Sequence, residues 1–233
     1  VLFRSVLDGA QLSASTFGQG NAGNVIITAS DLVTFQGESR NGQFASAAFS
    51  RVNKSGIGDG GEIGITAPVL EVLGGAQLIA NPRGQGNAGR LIITASDRVT
   101  FNDGIAFSSV NEGGNGDGGN IKITTPVLEA LNGGQLAALT SGQGNAGNVI
   151  IIASDRVLLD GVDFNGFSSA LFSGTLSNAT DRGRDVIVRT PYLQISNGAL
   201  IDSRTESVQP GGNILIEADQ VSRSEEHTSE LQS

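Results

Sequence analysis

The chain has 233 residues, of which 34 are glycine and only 5 are proline, a balance that excludes collagen-like and proline-rich disordered chains. A formal net charge of −9 argues against binding to a nucleic-acid backbone, which requires clustered Lys and Arg. Because cysteine is absent, neither a disulfide framework nor a thiolate metal site is expected, and no run approaches the ~18 apolar residues of a membrane helix.

The two ends of the chain differ from everything between them. Residues 1–5 (VLFRS) and 223–233 (RSEEHTSELQS) match in-frame translations of the adapter oligonucleotides used in short-read DNA sequencing. We therefore expect both ends to be adapter-derived, the second to be disordered, and one repeat domain to span residues 6–222. The first residue is not methionine, which favours an internal piece of a longer protein.

The stretch between the ends is a repeat. Two motifs alternate along it: GQGNAG at Gly18–Gly23, Gly84–Gly89 and Gly142–Gly147, and GDGG at Gly58–Gly61 and Gly116–Gly119. A strand-like run follows each motif, and two further runs of the same kind begin near Asp185 and Asn213, so the chain divides into about seven coils of about 28 residues. Two coils are longer, and we expect insertions near residues 36–60 and 160–183.

Each coil contains three strand-like runs. In the first run every second position is apolar in successive coils, as in Ile65, Ile93 and Ile123. The positions between them vary and include charged residues such as Lys122. This period of two is typical of a strand with one buried face. The second and third runs alternate in the same way, and Leu200 is predicted to point inward in a third run. Three short strands per coil predict an all-β, parallel β-helix, right-handed because parallel crossovers overwhelmingly are.

Asparagine recurs at one corner of the predicted solenoid, immediately after a glycine. We expect these residues to form a structural corner ladder that consists of Asn24, Asn120, Asn148 and Asn213. Glu62, Arg90 and Asp185 occupy the same corner in the remaining coils and are expected to interrupt the ladder.

Three phrases of the repeat, NGALIDSRT, GAQLSASTFGQGNAGNVIITASDLVTF and GNAGRLIITASDRVTFNDG, resemble filamentous-haemagglutinin-like exoproteins of two-partner secretion systems, especially the large cyanobacterial ones. The resemblance covers nearly all of residues 6–222. It implies a right-handed β-helix, export through an outer-membrane secretion pore, and a protein that is secreted or held on the cell surface. The asparagine-proline motifs of the family's secretion domain are not in this sequence, so export is implied by the resemblance alone.

The residue types give little support to catalysis. The only histidine, His227, lies in the adapter-like tail, so the repeat lacks both the base of a Ser-His-Asp arrangement and the usual ligands of zinc. Asp160 and Asp163 are the closest candidates for a glycosidase pair, and a solvated acidic loop is the alternative. Residues 113–118 are similar to the calcium β-roll pattern, but Asp117 lies one position early. We expect no catalytic residue, cofactor or metal ligand.

Phenylalanines concentrate in the two insertions, at Phe44, Phe49, Phe164, Phe167 and Phe172. They either pack on the flank of the rod or form a partner-binding patch. The interpretation that we favour is a structural or adhesive stalk segment that contacts surface glycans or other cells. The alternatives are a polysaccharide-active lyase or glycosidase and a carbohydrate-binding module. Uncapped terminal coils also predict that the chain self-associates end to end.

Overall fold

The computed structural model describes residues 5–176, 182–206 and 208–224, and all regular elements in these ranges are β-strands. They are β1 (Ser5–Leu7), β2 (Gln11–Ser13), β3 (Val25–Thr28), β4 (Leu32–Gln36), β5 (Ala47–Phe49), β6 (Ile63–Leu73), β7 (Gln77–Ile79), β8 (Leu91–Asn102), β9 (Ile105–Phe107), β10 (Ile121–Leu131), β11 (Gln135–Thr140), β12 (Val149–Asp160), β13 (Ala170–Thr175), β14 (Val186–Ser196), β15 (Leu200–Asp202) and β16 (Ile214–Ser224). No helix that could cross a membrane occurs in these ranges.

Two stacked parallel sheets contain all of these strands. The first sheet has the order β1-β4-β6-β8-β10-β12-β14-β16, with β3 also paired to β6, and the second has the order β15-β13-β11-β9-β7-β5-β2. Each strand pairs with its counterparts in the preceding and following coils, and neither sheet closes into a barrel. The predicted all-β class with parallel stacking is confirmed, and the arrangement is consistent with a parallel β-helix or solenoid.

The boundaries of the strands differ from the three short runs predicted for each coil. The first and second runs join into single strands of 11 or 12 residues in β6, β8, β10, β12 and β14. A register shift between Ala67 and Val69 marks the junction where β6 pairs with β8. Pro68 at this point has no N–H to donate, and the facing coil contains one residue more, so the ladder is interrupted while the strand continues.

The glycine-rich corner forms a third line of contacts along the stack. Isolated parallel bridges join Gln19 to Ile57, Ile57 to Gln85, Gln85 to Asn115 and Asn115 to Gln143. The third predicted run of each coil therefore corresponds to the second sheet, and the glycine motifs provide the remaining side.

One column of side chains runs through the first sheet, as the alternation predicts. The register pairs these residues in sequence: Ile27, Ile65, Ile93, Ile123, Ile151, Val188 and Ile216. Its central members, Ile65 to Val188, are at most 1% exposed, and Ile27 packs against the same core. This column is one part of a continuous buried core, which stabilises the stack by the hydrophobic effect.

Large and small core residues alternate in opposite phase in the two sheets. The coils carry, in order, Phe35 with Ala48, Val72 with Leu78, Phe101 with Ala106, and Ala130 with Leu136, and all eight side chains are fully buried. Where the first sheet contributes a phenylalanine, the second sheet contributes an alanine in the same coil. Where the first sheet contributes a smaller residue, the second sheet contributes a leucine. Because protein interiors are filled to a constant density, the packing unit of these four coils is two coils. The alternation ends in the next coil, where Leu159 of the first sheet and Leu171 of the second are both fully buried.

The prediction that Leu200 points inward is wrong by one residue. Leu200 pairs with Ala170, whereas Ile201 pairs with Leu171, which follows Leu136 in the inward column of the second sheet. Ile201 packs against the core. A shift of one residue moves a strand residue to the opposite face, and two adjacent apolar residues leave the sequence pattern ambiguous at this position.

The expected adapter-derived ends are described only in part. Ser5 belongs to β1, and Arg223 and Ser224 end β16. The predicted disorder of the C-terminal tail otherwise falls on residues 225–233, which lie outside the described residues.

Candidate interaction surface

The predicted corner ladder is held by side-chain oxygens that accept backbone hydrogen bonds from the next coil. Asn120 Oδ1 accepts from the N–H of Asn148 at 2.8 Å, and Asn148 Oδ1 accepts from the N–H of Asp185 at 3.0 Å. Asp185 Oδ1 in turn accepts from the N–H of Asn213 at 2.8 Å. The expectation that Asp185 interrupts the ladder is therefore wrong, because its carboxylate oxygen accepts the same bond as an amide oxygen.

The other end of this corner differs. Asn24 Oδ1 accepts from the N–H of Glu62 at 2.8 Å, and Glu62 then forms an ion pair with Arg90 at 2.7 Å. These two charged residues do replace the amide pattern, as predicted. The four predicted asparagines thus share one corner without forming one continuous stack.

A second corner ladder, which the sequence analysis missed, runs through five successive coils. Its members are Asn21, Asp59, Asn87, Asp117 and Asn145. Each Oδ1 accepts from the backbone N–H of the next member at 2.8 or 2.9 Å. Amide and carboxylate alternate along it, so no two carboxylates lie on adjacent coils.

The signal for the second ladder was present in the two glycine motifs. Each member follows a glycine with positive φ, for example Gly58 at 150°. A Cβ at Gly58 would lie 2.2 Å from the carbonyl oxygen of Gly20 in the coil below, so only glycine fits. Aligning GQGNAG with GDGG on this glycine superimposes asparagine on aspartate.

The calcium-like segment belongs to this same ladder. Asp117 Oδ1 accepts from the N–H of Asn145 at 2.9 Å and from its Nδ2 at 3.0 Å. Within the described ranges, no group of three or more His, Cys, Asp or Glu side chains is arranged to hold a metal ion. The recurring aspartate of this ladder therefore has a structural role, as an acceptor of hydrogen bonds from the next coil.

Both predicted insertions contain a short hairpin built in the same way. The first hairpin (residues 37–46) has an antiparallel bridge between Glu38 and Ala45, and the second (residues 161–169) has one between Val162 and Ser168. The rest of the first predicted insertion, residues 47–60, follows the same path as the neighbouring coils.

A buried serine fixes each hairpin to the coil below. Ser46 Oγ donates to the carbonyl of Gln36 at 2.7 Å and accepts from the N–H of Gly9 at 3.0 Å. Ser169 Oγ donates to the carbonyl of Asp160 at 2.7 Å and accepts from the N–H of Gly133 at 2.9 Å. Because both serines are fully buried, each staples a surface hairpin to the body of the stack.

The five predicted phenylalanines do not form one patch. Phe44, Phe164 and Phe167 project from the two hairpins and are 53%, 101% and 62% exposed. Phe49 is buried and Phe172 partly buried, both on the outer face of the second sheet. The partner-patch hypothesis therefore applies to the hairpin residues, whereas the remaining two belong to a different surface.

That different surface is an apolar stripe on the outside of the second sheet. We call it the outer stripe; in register, it consists of Phe49, Ile79, Phe107, Ala137 and Phe172. At one end the guanidinium carbon of Arg51 lies 3.5 Å from the centre of the Phe49 ring. Sequence analysis missed the stripe because its members point away from the predicted core and only the coil register aligns them.

The carboxylates proposed as a glycosidase pair make hydrogen bonds within the fold. Asp160 Oδ1 accepts from Ser196 Oγ at 2.6 Å and from Asn197 Nδ2 at 2.8 Å. Asp163 Oδ1 accepts from the backbone N–H of Asn165 at 2.8 Å and of Phe167 at 2.7 Å, which shapes the second hairpin. Both side chains therefore have structural partners in this conformation.

The charge of Asp163 also affects the pKa of Asp103 at the neighbouring corner. Burial raises the pKa of Asp103 above its usual value, and the charges of Asp163 and Glu38 raise it further. An acidic edge thus extends between the two hairpins.

The chain matches no family model, no curated protein and no solved structure.

Proposed function

We propose that the chain is a segment of a right-handed parallel β-helix of about seven coils that acts as a structural or adhesive stalk without catalysis. The observation that supports this most is the column from Ile27 to Ile216, which continues through every coil. Coils that contact only their neighbours build a rod whose length follows from the number of coils. At a spacing of ~4.8 Å, about seven coils extend ~34 Å.

We place the stalk in a large secreted or cell-surface protein of the filamentous-haemagglutinin-like type. The resemblance of the repeat phrases supports this placement, and it implies an outer-membrane pore of the two-partner type as the export partner. The lack of cysteine suits a chain that passes unfolded through such a pore.

The hairpins are the elements that we assign to adhesion. They leave the rod at the same corner, after β4 and after β12, which are separated by four steps in the first sheet, or ~19 Å. Exposed aromatic rings on loops that a rigid scaffold supports are typical of contact sites. Surface glycans and other cells are the partners that we propose for them.

A retention assay tests the adhesive role. Beads coated with the chain are passed over glycan-bearing surfaces or cells, and wild type is compared with the triple variant Phe44→Ser, Phe164→Ser, Phe167→Ser. The control is Phe17→Ser, because Phe17 is 75% exposed but lies outside the hairpins. We expect the triple variant to lose retention and the control to keep it.

Two results would overturn the proposal. Equal retention of the triple variant and wild type would remove the hairpins from adhesion. Release of soluble products from pectin-like or alginate-like polymers by the chain would replace a stalk with an enzyme.

A further inference from the structure

Four threonines lie side by side on the outer face of the first sheet. The register pairs Thr28 with Thr66, Thr66 with Thr94 and Thr94 with Thr124. All four side chains are exposed, and they belong to the first run of β3, β6, β8 and β10. The register between these strands shifts only after the threonines. The four residues therefore form an unbroken row across four coils, which we call the threonine ladder.

The hydroxyl groups of the threonine ladder differ from those of the other threonines on this sheet. Among the residues that the structure describes, none of the four ladder hydroxyls forms a hydrogen bond with another group of the protein. Thr34 and Thr100, in the second run, donate to glutamates of the next coil at 3.4 and 3.3 Å. The ladder hydroxyls are thus available to water or to a ligand.

The surface beside the threonine ladder carries little charge. The neighbouring outward positions of the same four runs are, in order, Ile26, Gly64, Ile92 and Lys122. Ile26 is 60% exposed, and Lys122 at one end is the only charged residue at these positions. The exposed ion pair of Arg189 with Glu217 begins two coils beyond Thr124. In a chain with a net charge of −9, this face suits an uncharged and regularly spaced partner.

We propose that the threonine ladder binds ice. Successive coils are ~4.8 Å apart, and this spacing is close to the shortest lattice repeat of hexagonal ice. Threonine is stiff at χ1, so each step of the ladder holds one hydroxyl and one methyl group in a fixed position. The hydroxyls hydrogen-bond to waters that continue the lattice, and the methyl groups pack between those waters. Because the sheet fixes the spacing before contact, little freedom is lost on binding.

A crystalline uncharged polysaccharide is the other rigid and regular partner for such a face. The residue types favour ice, because the outward positions of the four runs include neither an aromatic ring for a sugar to stack on nor an amide to bind its hydroxyls. The ladder lies in the first run, whereas the hairpins follow the second run. Ice binding therefore does not rest on the stalk function or on adhesion by the hairpins, and failure of either proposal leaves the other intact.

Partition into slowly growing ice tests the ladder on the intact chain. Ice is grown on a cold probe, and the protein concentration in the ice is divided by that in the remaining liquid. Growing ice excludes a protein that does not bind it, so we expect uptake of wild type. Thr66→Lys places a charge in the middle of the ladder, and we expect the ratio to fall about tenfold. The control is Gln85→Lys, which adds the same charge at an exposed position of the glycine-rich corner and should keep uptake.

A second variant and a second surface make the test decisive. Thr94→Tyr keeps a strong strand former, so it folds even if Thr66→Lys does not, and its ring projects beyond the row and prevents contact with a lattice. We expect Thr94→Tyr to lose uptake as well. Exclusion of wild type from ice, unaltered uptake of both folded variants, or an equal loss in Gln85→Lys would overturn the proposal. Binding of wild type to microcrystalline cellulose that Thr94→Tyr strengthens, together with exclusion from ice, would assign the face to a polysaccharide instead.

Discussion

Asp103 lies at a corner where the backbone takes a positive φ in successive coils. Asp8, Asp103, Asn132 and Asn197 have φ between 48° and 54° there, and glycine occupies the corresponding place in the other coils. Only glycine, asparagine and aspartate tolerate this conformation at low cost. The corner therefore restricts residue identity without restricting charge.

This restriction makes Asp103→Asn an informative change. The raised pKa of Asp103 means that the native state holds its proton more tightly than the unfolded chain does. Its ionisation therefore lowers stability as pH rises above ~3.9, the ordinary value for aspartate. We expect Asp103→Asn to raise the free energy of unfolding at neutral pH by at most about 1 kcal/mol, with no gain below that pH.

Denaturant unfolding at pH 7 and pH 3 measures this effect. Asp97→Asn is the control, since Asp97 lies in β8 away from Glu38 and Asp163. A stabilisation of Asp103→Asn that persists unchanged at pH 3 would contradict the electrostatic explanation.

The alternation of amide and carboxylate in the second ladder predicts a second effect of charge. Asn87→Asp would place three carboxylates on adjacent coils, between Asp59 and Asp117, and like charges directly opposite each other destabilise a sheet. We expect denaturant unfolding to show a loss of up to about 1 kcal/mol at pH 7.

Asp117→Asn is the matched control for Asn87→Asp. This substitution keeps an acceptor oxygen for the N–H of Asn145 and removes a charge. We therefore expect the free energy of unfolding of the variant to stay within about 0.5 kcal/mol of wild type. Equal destabilisation by both changes would show that hydrogen-bond geometry, and not charge, sets the pattern.

The boundaries of single strands are harder to predict from the sequence than the roles of single residues. Pro68, Pro126 and Pro191 each lie at a junction between the first and second runs, where proline normally indicates a break. The strands nevertheless continue, because hydrogen bonds to the coils above and below resume one or two residues later. The strand continues because it pairs with a different coil. The register of that pairing cannot be predicted from the sequence around the proline.

The hairpins allow a test of how independent an element is. The neighbouring coil joins the two sheets with only Asn132, Gly133 and Gly134, so residues 161–169 can be replaced by Asn-Gly-Gly. We expect this replacement to lower the free energy of unfolding by less than about 1 kcal/mol, since the N–H of Gly133 becomes open to water and a loop is shortened.

Ser169→Ala should be the more damaging change. The hairpin then stays in place over Gly133, whose N–H is left buried and unpaired, at a cost of about 1–3 kcal/mol. Thermal and denaturant unfolding of both variants measure the difference. A replacement that costs more than the single substitution would mean that the hairpin itself stabilises the stack.

At the scale of the whole molecule, the interior was more predictable than the exterior. The column from Ile27 to Ile151 follows from a period of two repeated in every coil. The outer stripe depends on which outward residues meet across coils of unequal length. Loop lengths set the register between neighbouring coils, and no local sequence pattern predicts that register.

The terminal coil predicts self-association of this chain. Ile214 and Ile216 pair with the fully buried Val186 and Val188 but remain 46% and 37% exposed, and no described strand pairs with the outer edge of β16. Apolar surface beside an open strand edge is a template for a second copy. We expect oligomers whose size increases with concentration in light scattering.

Charge at this end should suppress the association. Ile214→Lys with Ile216→Lys places two cations on the inward face of the last coil, and we expect a monomer. Leu215→Lys is the control, because Leu215 is 43% exposed but points to the opposite face. Association that Leu215→Lys abolishes and the double variant does not would locate the contact on the flank of the rod.

The two-coil packing unit has a consequence for how a gene of this kind can change in length. Within the four coils from Phe35 to Leu136, unequal recombination that loses one coil brings two phenylalanine layers into contact, which leaves the interior overfilled. An exchange of a pair of coils leaves every layer beside its usual neighbour. Among natural length variants, differences by an even number of coils should therefore predominate.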